Sequence, residues 1–117
     1  MANPVVHFEI LGRDGKRSQD FYSSLFGWSI DANNPMQYGM VAPPEGHGIG
    51  GGVAGSMGEP ATHIYVEVGD LDAALAKAQS LGGSLVSPPM DVPGGPRIAQ
   101  FADPDGNVIG LMQAGTM

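Results

Sequence analysis

Two histidines, His7 and His63, occupy the third and first places of two similar stretches, VVHFEI and HIYVEV. Each has a carboxylate further along the same alternating face. Glu9 follows His7 by two residues, and Glu67 follows His63 by four. Tyr65 shares the face of His63 and Glu67. These side chains bring imidazoles for ligation or proton transfer, carboxylates for base chemistry or hard-ion binding, and a phenol as donor and stacking surface. In a strand, residues two apart are separated by about 6.5–7 Å. His7 with Glu9 is therefore a conceivable pair for one ion or ligand, and His63 with Glu67 is a poor one. The plainer readings are a hydrogen-bonded packing role for each histidine, solvent exposure for each glutamate and strand formation for Tyr65. In a cleft, Glu9 would be partly desolvated and becomes the candidate catalytic acid or base.

These residues need strands to carry them, and the chain supplies two copies of one plan. In Val5–Leu11, residues Val6, Phe8 and Ile10 share one face, while Val5, His7, Glu9 and Leu11 share the other. A helix is expected over residues 15–26, capped by Asp14, ended by Gly27, with an apolar stripe of Phe21, Tyr22, Leu25 and Phe26. Short strands are expected near 28–31, 36–42 and 49–54. A linker at 55–62 leads to HIYVEV, where Ile64, Val66 and Val68 face away from His63, Tyr65 and Glu67. A second helix, capped by Asp70, is expected over 71–82. Strands near 84–87, 97–102 and 107–113 follow, the last two joined by the turn DPDG at 103–106. Leu25 and Leu81, Gly27 and Gly83, and Ile30 and Val86 repeat the His7–His63 offset. Module one is thus 1–54 and module two 63–117, two βαβββ units of a single α+β domain. The expected sheet is curved, eight-stranded and mostly antiparallel, with helices on its apolar face and the histidines lining a cleft on the other.

The composition narrows the function. A chain of 117 residues with net charge −7 and only 5 Lys+Arg has no footprint for phosphate backbones or anionic membranes. It has no cysteine, which excludes disulfides, thiolate sites and Cys nucleophiles. The N-terminus shows no signal peptide and no apolar span, so the cytoplasm is the expected location. GHGIGG at 46–51 matches G-x-G-x-x-G, but no helix is expected after it, so it is read as a loop rather than a dinucleotide site. His47 in that loop is read as exposed.

The stretches VVHFEI, SQDFYSSLFGW, HIYVEVGDLDAALAKAQSLGG and FADPDGNVIGL resemble the vicinal oxygen chelate superfamily. That group holds glyoxalase I, methylmalonyl-CoA epimerase, extradiol dioxygenases and bleomycin resistance proteins. The resemblance covers nearly the whole chain and implies the paired βαβββ fold. In metal-using members, one ligand comes from the first strand and one from the last strand of each module, often two histidines and two glutamates. His7 and His63 match the first-strand places. The last-strand places fall at Gly110 and, within a glycine-rich run, at Gly52.

The resemblance therefore implies a site without its two carboxylates and no cofactor, with a divalent metal on His7 and His63 as the alternative. Two function classes follow. One is a protein that binds a small molecule in the cleft, with Gly52 and Gly110 leaving room above a polar floor of His7, Glu9, His63, Tyr65 and Glu67. The other is a lyase, isomerase or dioxygenase working through a metal, or a metal-free enzyme using Glu9. The expected partners are a small molecule and a second copy of the chain, with neither nucleic acid nor membrane.

Overall fold

The computed structural model describes residues 2–116. Eight strands and two helices follow one another as β1 (Val5–Gly12), α1 (Gly15–Phe26), β2 (Ile30–Asp31), β3 (Gly39–Val41), β4 (Gly51–Gly55), β5 (Ala61–Val68), α2 (Leu71–Ser80), β6 (Ser84–Asp91), β7 (Arg97–Ala102) and β8 (Val108–Gln113). The class is α+β, and the βαβββ order occurs twice. The chain divides into two compact units. One comprises Val6–His63, and the other residues 2–5 with residues 64–116. The first residues thus belong with the second half, where the Glu67 N–H donates to the Pro4 carbonyl at 2.9 Å.

In the first unit the strands run β2-β3-β4-β1, with β1 and β4 parallel and the others antiparallel. Helix α1 starts where the Asp14 carboxylate accepts from the Arg17 N–H, satisfying a donor that the first turn leaves unpaired. It ends at Gly27, whose φ of 70° suits a residue without Cβ. The side that α1 turns to the sheet departs from expectation. Its buried residue is Gln19, while Phe21, Leu25 and Phe26 are all more than half exposed. The Gln19 amide donates to the carbonyls of Val53 at 2.9 Å and Gln37 at 3.1 Å. A polar residue can occupy this place because both donors find carbonyls. The glycines beneath let the helix come close, since a Cβ at Gly39 would stand 2.9 Å from the Gln19 amide nitrogen. Tyr22 and Phe26 instead pack with Trp28, which lies 5.3 Å from the Phe8 ring.

In the second unit the strands run β5-β8-β7-β6, again with one parallel pair, β5 with β8. Leu71, Leu75, Ala99 and Leu111 form its buried core. Helix α2 is capped by Asp70, which accepts from the Ala73 N–H, and it stops at Ser80, two residues short of expectation. The DPDG turn joins antiparallel neighbours β7 and β8, and the Asp103 carboxylate accepts from the N–H groups of Asp105 and Asn107. Strand β6 extends well past the expected Ser87, through Pro88 and Pro89 to Asp91. Its register with β7 shifts on both sides of Ser87. The strand ends its row, where proline is tolerated because an outward-facing N–H has no ladder partner to lose.

Candidate functional site

The sequence places His7 and Glu9 on one face of β1, with a gap of about two residue rises between their side chains. The fold fills that gap with a residue the sequence reading did not single out. The Tyr38 hydroxyl lies 2.9 Å from His7 Nε2 and donates to Glu9 Oε2 at 3.0 Å. The Tyr38 ring also lies parallel to the His7 imidazole, with centroids 6.3 Å apart. On its other side Glu9 turns Oε1 to His63 Nδ1 at 3.5 Å. All four residues lie in the Val6–His63 unit. The side chains of Glu9 and His63 are each only 13% exposed. Polar groups so far removed from water interact more strongly with one another, and with a ligand, than they would at the surface.

The proton arrangement follows from valence. A phenol has one proton, and here it goes to the Glu9 carboxylate. His7 must then donate its Nε2 proton to the phenol oxygen, leaving Nδ1 as the unprotonated nitrogen. Burial holds the His7 pKa below its ordinary value, with the nearby Glu9 charge opposing in part. A neutral imidazole at pH 7 agrees with this tautomer. The chain His7–Tyr38–Glu9–His63 contains both donors and acceptors, and it could orient a ligand or pass a proton.

Tyr38 is held by its own loop. The Asn34 side chain accepts from the Tyr38 N–H at 2.9 Å and donates to the Tyr38 carbonyl at 2.8 Å. Between them Gln37 adopts φ 52°, in the left-handed region. The ring then lies over Gly52. A Cβ on Gly52 would overlap the Tyr38 ring, so only glycine lets the phenol reach Glu9. Register explains the placement, because Gly52 pairs with Glu9 across β1 and β4. The second unit repeats it, with Gly110 paired to Tyr65 and a Cβ there overlapping the Tyr65 ring.

Gly52 and Gly110 are thus equivalent in register, as their assignment to last-strand positions required. They do not leave room, however, since aromatic rings lie over both. Tyr65 is 4% exposed and belongs, with the half-buried Glu67, to the second unit. His47 is exposed beside the short 3-10 turn Pro44–Gly46, and the glycine run leads into strand β4 rather than a helix. Tyr38 escaped notice because it falls inside a short strand candidate, with no motif around it. The only available signal was an asparagine four residues before an aromatic residue that is followed by glycine.

Residues 5–111 match the family model of the Glyoxalase/Bleomycin resistance protein/Dioxygenase superfamily. The chain belongs to this superfamily. Among curated superfamily relatives, it is 32% identical over 111 residues to CFP32 of Mycobacterium bovis, covering 86% of this chain and 42% of CFP32. It is 31% identical over 128 residues to the anthracycline biosynthesis protein DauV of Streptomyces sp., covering 94% of this chain and 46% of DauV. The chain therefore spans less than half the length of these curated relatives. The fold is shared with methylmalonyl-CoA epimerase from Mycobacterium tuberculosis, at TM-score 0.64 and 19% identity, over 93% of this chain and 86% of that one. It is also shared with the protein BH1468 from Bacillus halodurans, at TM-score 0.70 and 14% identity, over 100% and 98% of the two chains.

The superfamily's metal can be tested against this donor set. Its last-strand positions hold Gly52 and Gly110, which offer no side-chain donor, and tyrosine rings lie over both. Among the described residues no three His, Cys, Asp or Glu side chains are grouped to hold an ion. A phenol stands between His7 and the carboxylate of Glu9, where a shared ion would have to sit. The described residues do not assemble the superfamily's ligand set.

Proposed function

We propose that this superfamily member binds a small organic molecule at the His7–Tyr38–Glu9–His63 cluster and does so without a divalent metal. The observation that carries this reading is the Tyr38 phenol, seated over Gly52 and hydrogen-bonded to both His7 and Glu9. It holds the His7 imidazole and the Glu9 carboxylate in one ordered, hydrogen-bonded arrangement where a metal-using relative would present an ion. The preferred ligand is a flat, hydroxylated aromatic molecule. Its hydroxyl and carbonyl groups suit the mixed polarity of the cluster, and its rings suit the stacked His7 and Tyr38. The relationship to DauV, named for anthracycline biosynthesis, supports that chemistry.

The test is titration of an anthracycline, followed by its fluorescence, into protein dialysed against chelator. Saturable binding should survive chelation and weaken at least about tenfold in Glu9→Gln, which loses a charge-assisted acceptor. Binding or turnover that appears only after Mn, Fe, Ni or Zn is restored would overturn the reading and favour a metal-dependent lyase, isomerase or dioxygenase.

The reading includes a homodimer acting in the cytoplasm. Phe21, Leu25 and Phe26 stand exposed on α1, an apolar face of the kind that interfaces cover. A second copy would also bring the assembly close to the length of CFP32 or DauV. A chain without cysteine needs no oxidising compartment. Light scattering at micromolar concentration should give twice the 12.0 kDa chain mass.

A further inference from the structure

The second unit contains a cavity of about 380 Å³ on the side of the sheet that α2 covers. Its floor is Val66 and Val68 of β5, Phe101 of β7 and Leu111 of β8. Its wall is one stripe of α2. Ala74, Lys77 and Ala78 lie three and four residues apart and so share a helix face, and Leu81 follows just past the helix end. The cavity exists because of side-chain size. Leu71 and Leu75 seal the core on the neighbouring face of α2, while the alanines at 74 and 78 are too small to fill the space above β5. Leu81, at the mouth, is 70% exposed.

The polar groups at the rim are few. Lys77 makes no ion pair among the described residues. Asp103, also on the lining, stays ionised, its carboxyl pKa held below its ordinary value by hydrogen bonds within its own turn. Its carboxylate accepts from the N–H groups of Asp105 and Asn107 and from the Asn107 side chain, all at 2.9 Å. An apolar trough of this volume with the Lys77 ammonium at its edge suits a molecule with a hydrocarbon body and one negative head that reaches Lys77 while keeping clear of Asp103. On a chain of net charge −7, an anion has few other places to find a cation.

We propose that this cavity is a second ligand site, which takes a small monoanionic amphiphile with its tail over Val66, Val68 and Phe101 and its head on Lys77. It lies in the other unit from His7, Tyr38 and Glu9 and does not depend on their function.

Decanoate and decanol test it as a pair on the full chain, by calorimetry and by methyl chemical-shift mapping. Decanoate should bind with one-to-one stoichiometry and shift the signals of Val66, Val68, Ala74, Ala78 and Leu111. Lys77→Gln should lower decanoate affinity by up to about fivefold, the scale of an exposed ion pair, and leave decanol unchanged. Ala74→Leu with Ala78→Leu should fill the cavity and reduce the affinity for both at least tenfold. Ala78→Leu alone serves if the double variant does not fold by circular dichroism. Three results would each overturn the proposal: no saturable binding, full binding by the filled variant, or methyl shifts confined to Leu25 on α1. A failed anthracycline titration would leave it standing, because that experiment probes the other unit.

Discussion

Tyr38 lies across Gly52 and joins His7 to Glu9 through its hydroxyl. The phenol can occupy the site only because the last strand carries no side chain at Gly52. In the second unit Tyr65 and Gly110 hold the same relation. Glycine here makes room for a ring of the protein's own.

This changes what Gly110→Glu should do. Read from sequence, the substitution would restore a carboxylate to an open position and raise metal affinity. In the structure its Cβ overlaps the Tyr65 ring. The variant should be destabilised by about 1–3 kcal/mol, the usual cost of overpacking, with no gain in metal binding. Urea unfolding and Mn titration measure both. Adding Tyr65→Ala to Gly110→Glu should relieve the overlap and recover part of the loss. Stoichiometric metal uptake by the single variant would contradict the arrangement.

His7 should make folding sensitive to acid. Burial lowers its pKa from the ordinary 6.5. Well above 6.5 the ring is neutral folded or unfolded, and it contributes nothing to the pH dependence. Below 6.5 the unfolded chain takes up a proton that the folded one refuses, so stability falls as pH drops, until the folded pKa is passed. Urea midpoints between pH 7 and 5 should show this decline, and His7→Gln should remove its share. An imidazole titration placing His7 above 6.5 would reverse the sign.

The Asn34 clamp should matter to the site as much as to the loop. Asn34→Ala removes two hydrogen bonds to the Tyr38 backbone and should cost about 1–2 kcal/mol. It should also loosen Tyr38 and shift the His7 ring resonances. Asn34→Asp keeps the acceptor, loses the donor and should fall between. Unchanged His7 resonances in Asn34→Ala would mean that Tyr38 is held by other means.

The repeat, both helix starts and the DPDG turn were legible because each rests on short-range chemistry: alternation, a capping aspartate, a glycine past a helix end. The side of α1 that faces the sheet was not. Phe21, Tyr22, Leu25 and Phe26 make the stronger apolar pattern, yet Gln19 is buried, because two carbonyls from distant segments, Val53 and Gln37, happen to meet its amide. Periodicity carries no information about such partners. Tyr38 was hidden for the same reason. Its role comes from register between β1 and β4, which brings Gly52 opposite Glu9, and from a loop conformation set by Asn34. His7 and His63 were singled out because they repeat and Glu9 because it shares the face of His7, whereas the residue that links His7 to Glu9 carries neither mark.

Gln19→Leu puts this to the test. Leucine nearly matches glutamine in size but leaves the Val53 and Gln37 carbonyls without their donor. The variant should lose about 1–3 kcal/mol by urea unfolding, although it looks like an improvement to an apolar helix face. A stabilised variant would show that those hydrogen bonds are not needed.

Pro88 and Pro89 in β6 bear on how copies of this chain can meet. A strand adding to a row pairs with the backbone of the last strand. Successive N–H groups point to opposite sides, so one of the two adjacent prolines withholds a donor from any newcomer, and the other falls where the register with β7 shifts. In the first unit, the terminal strand β2 is only Ile30–Asp31, which offers little backbone to pair with. Extension by strand addition is blunted at both places, and with it the route by which sheet proteins polymerise into fibrils. The homodimer proposed above would then have to form through other surfaces, such as the exposed Phe21, Leu25 and Phe26 of α1.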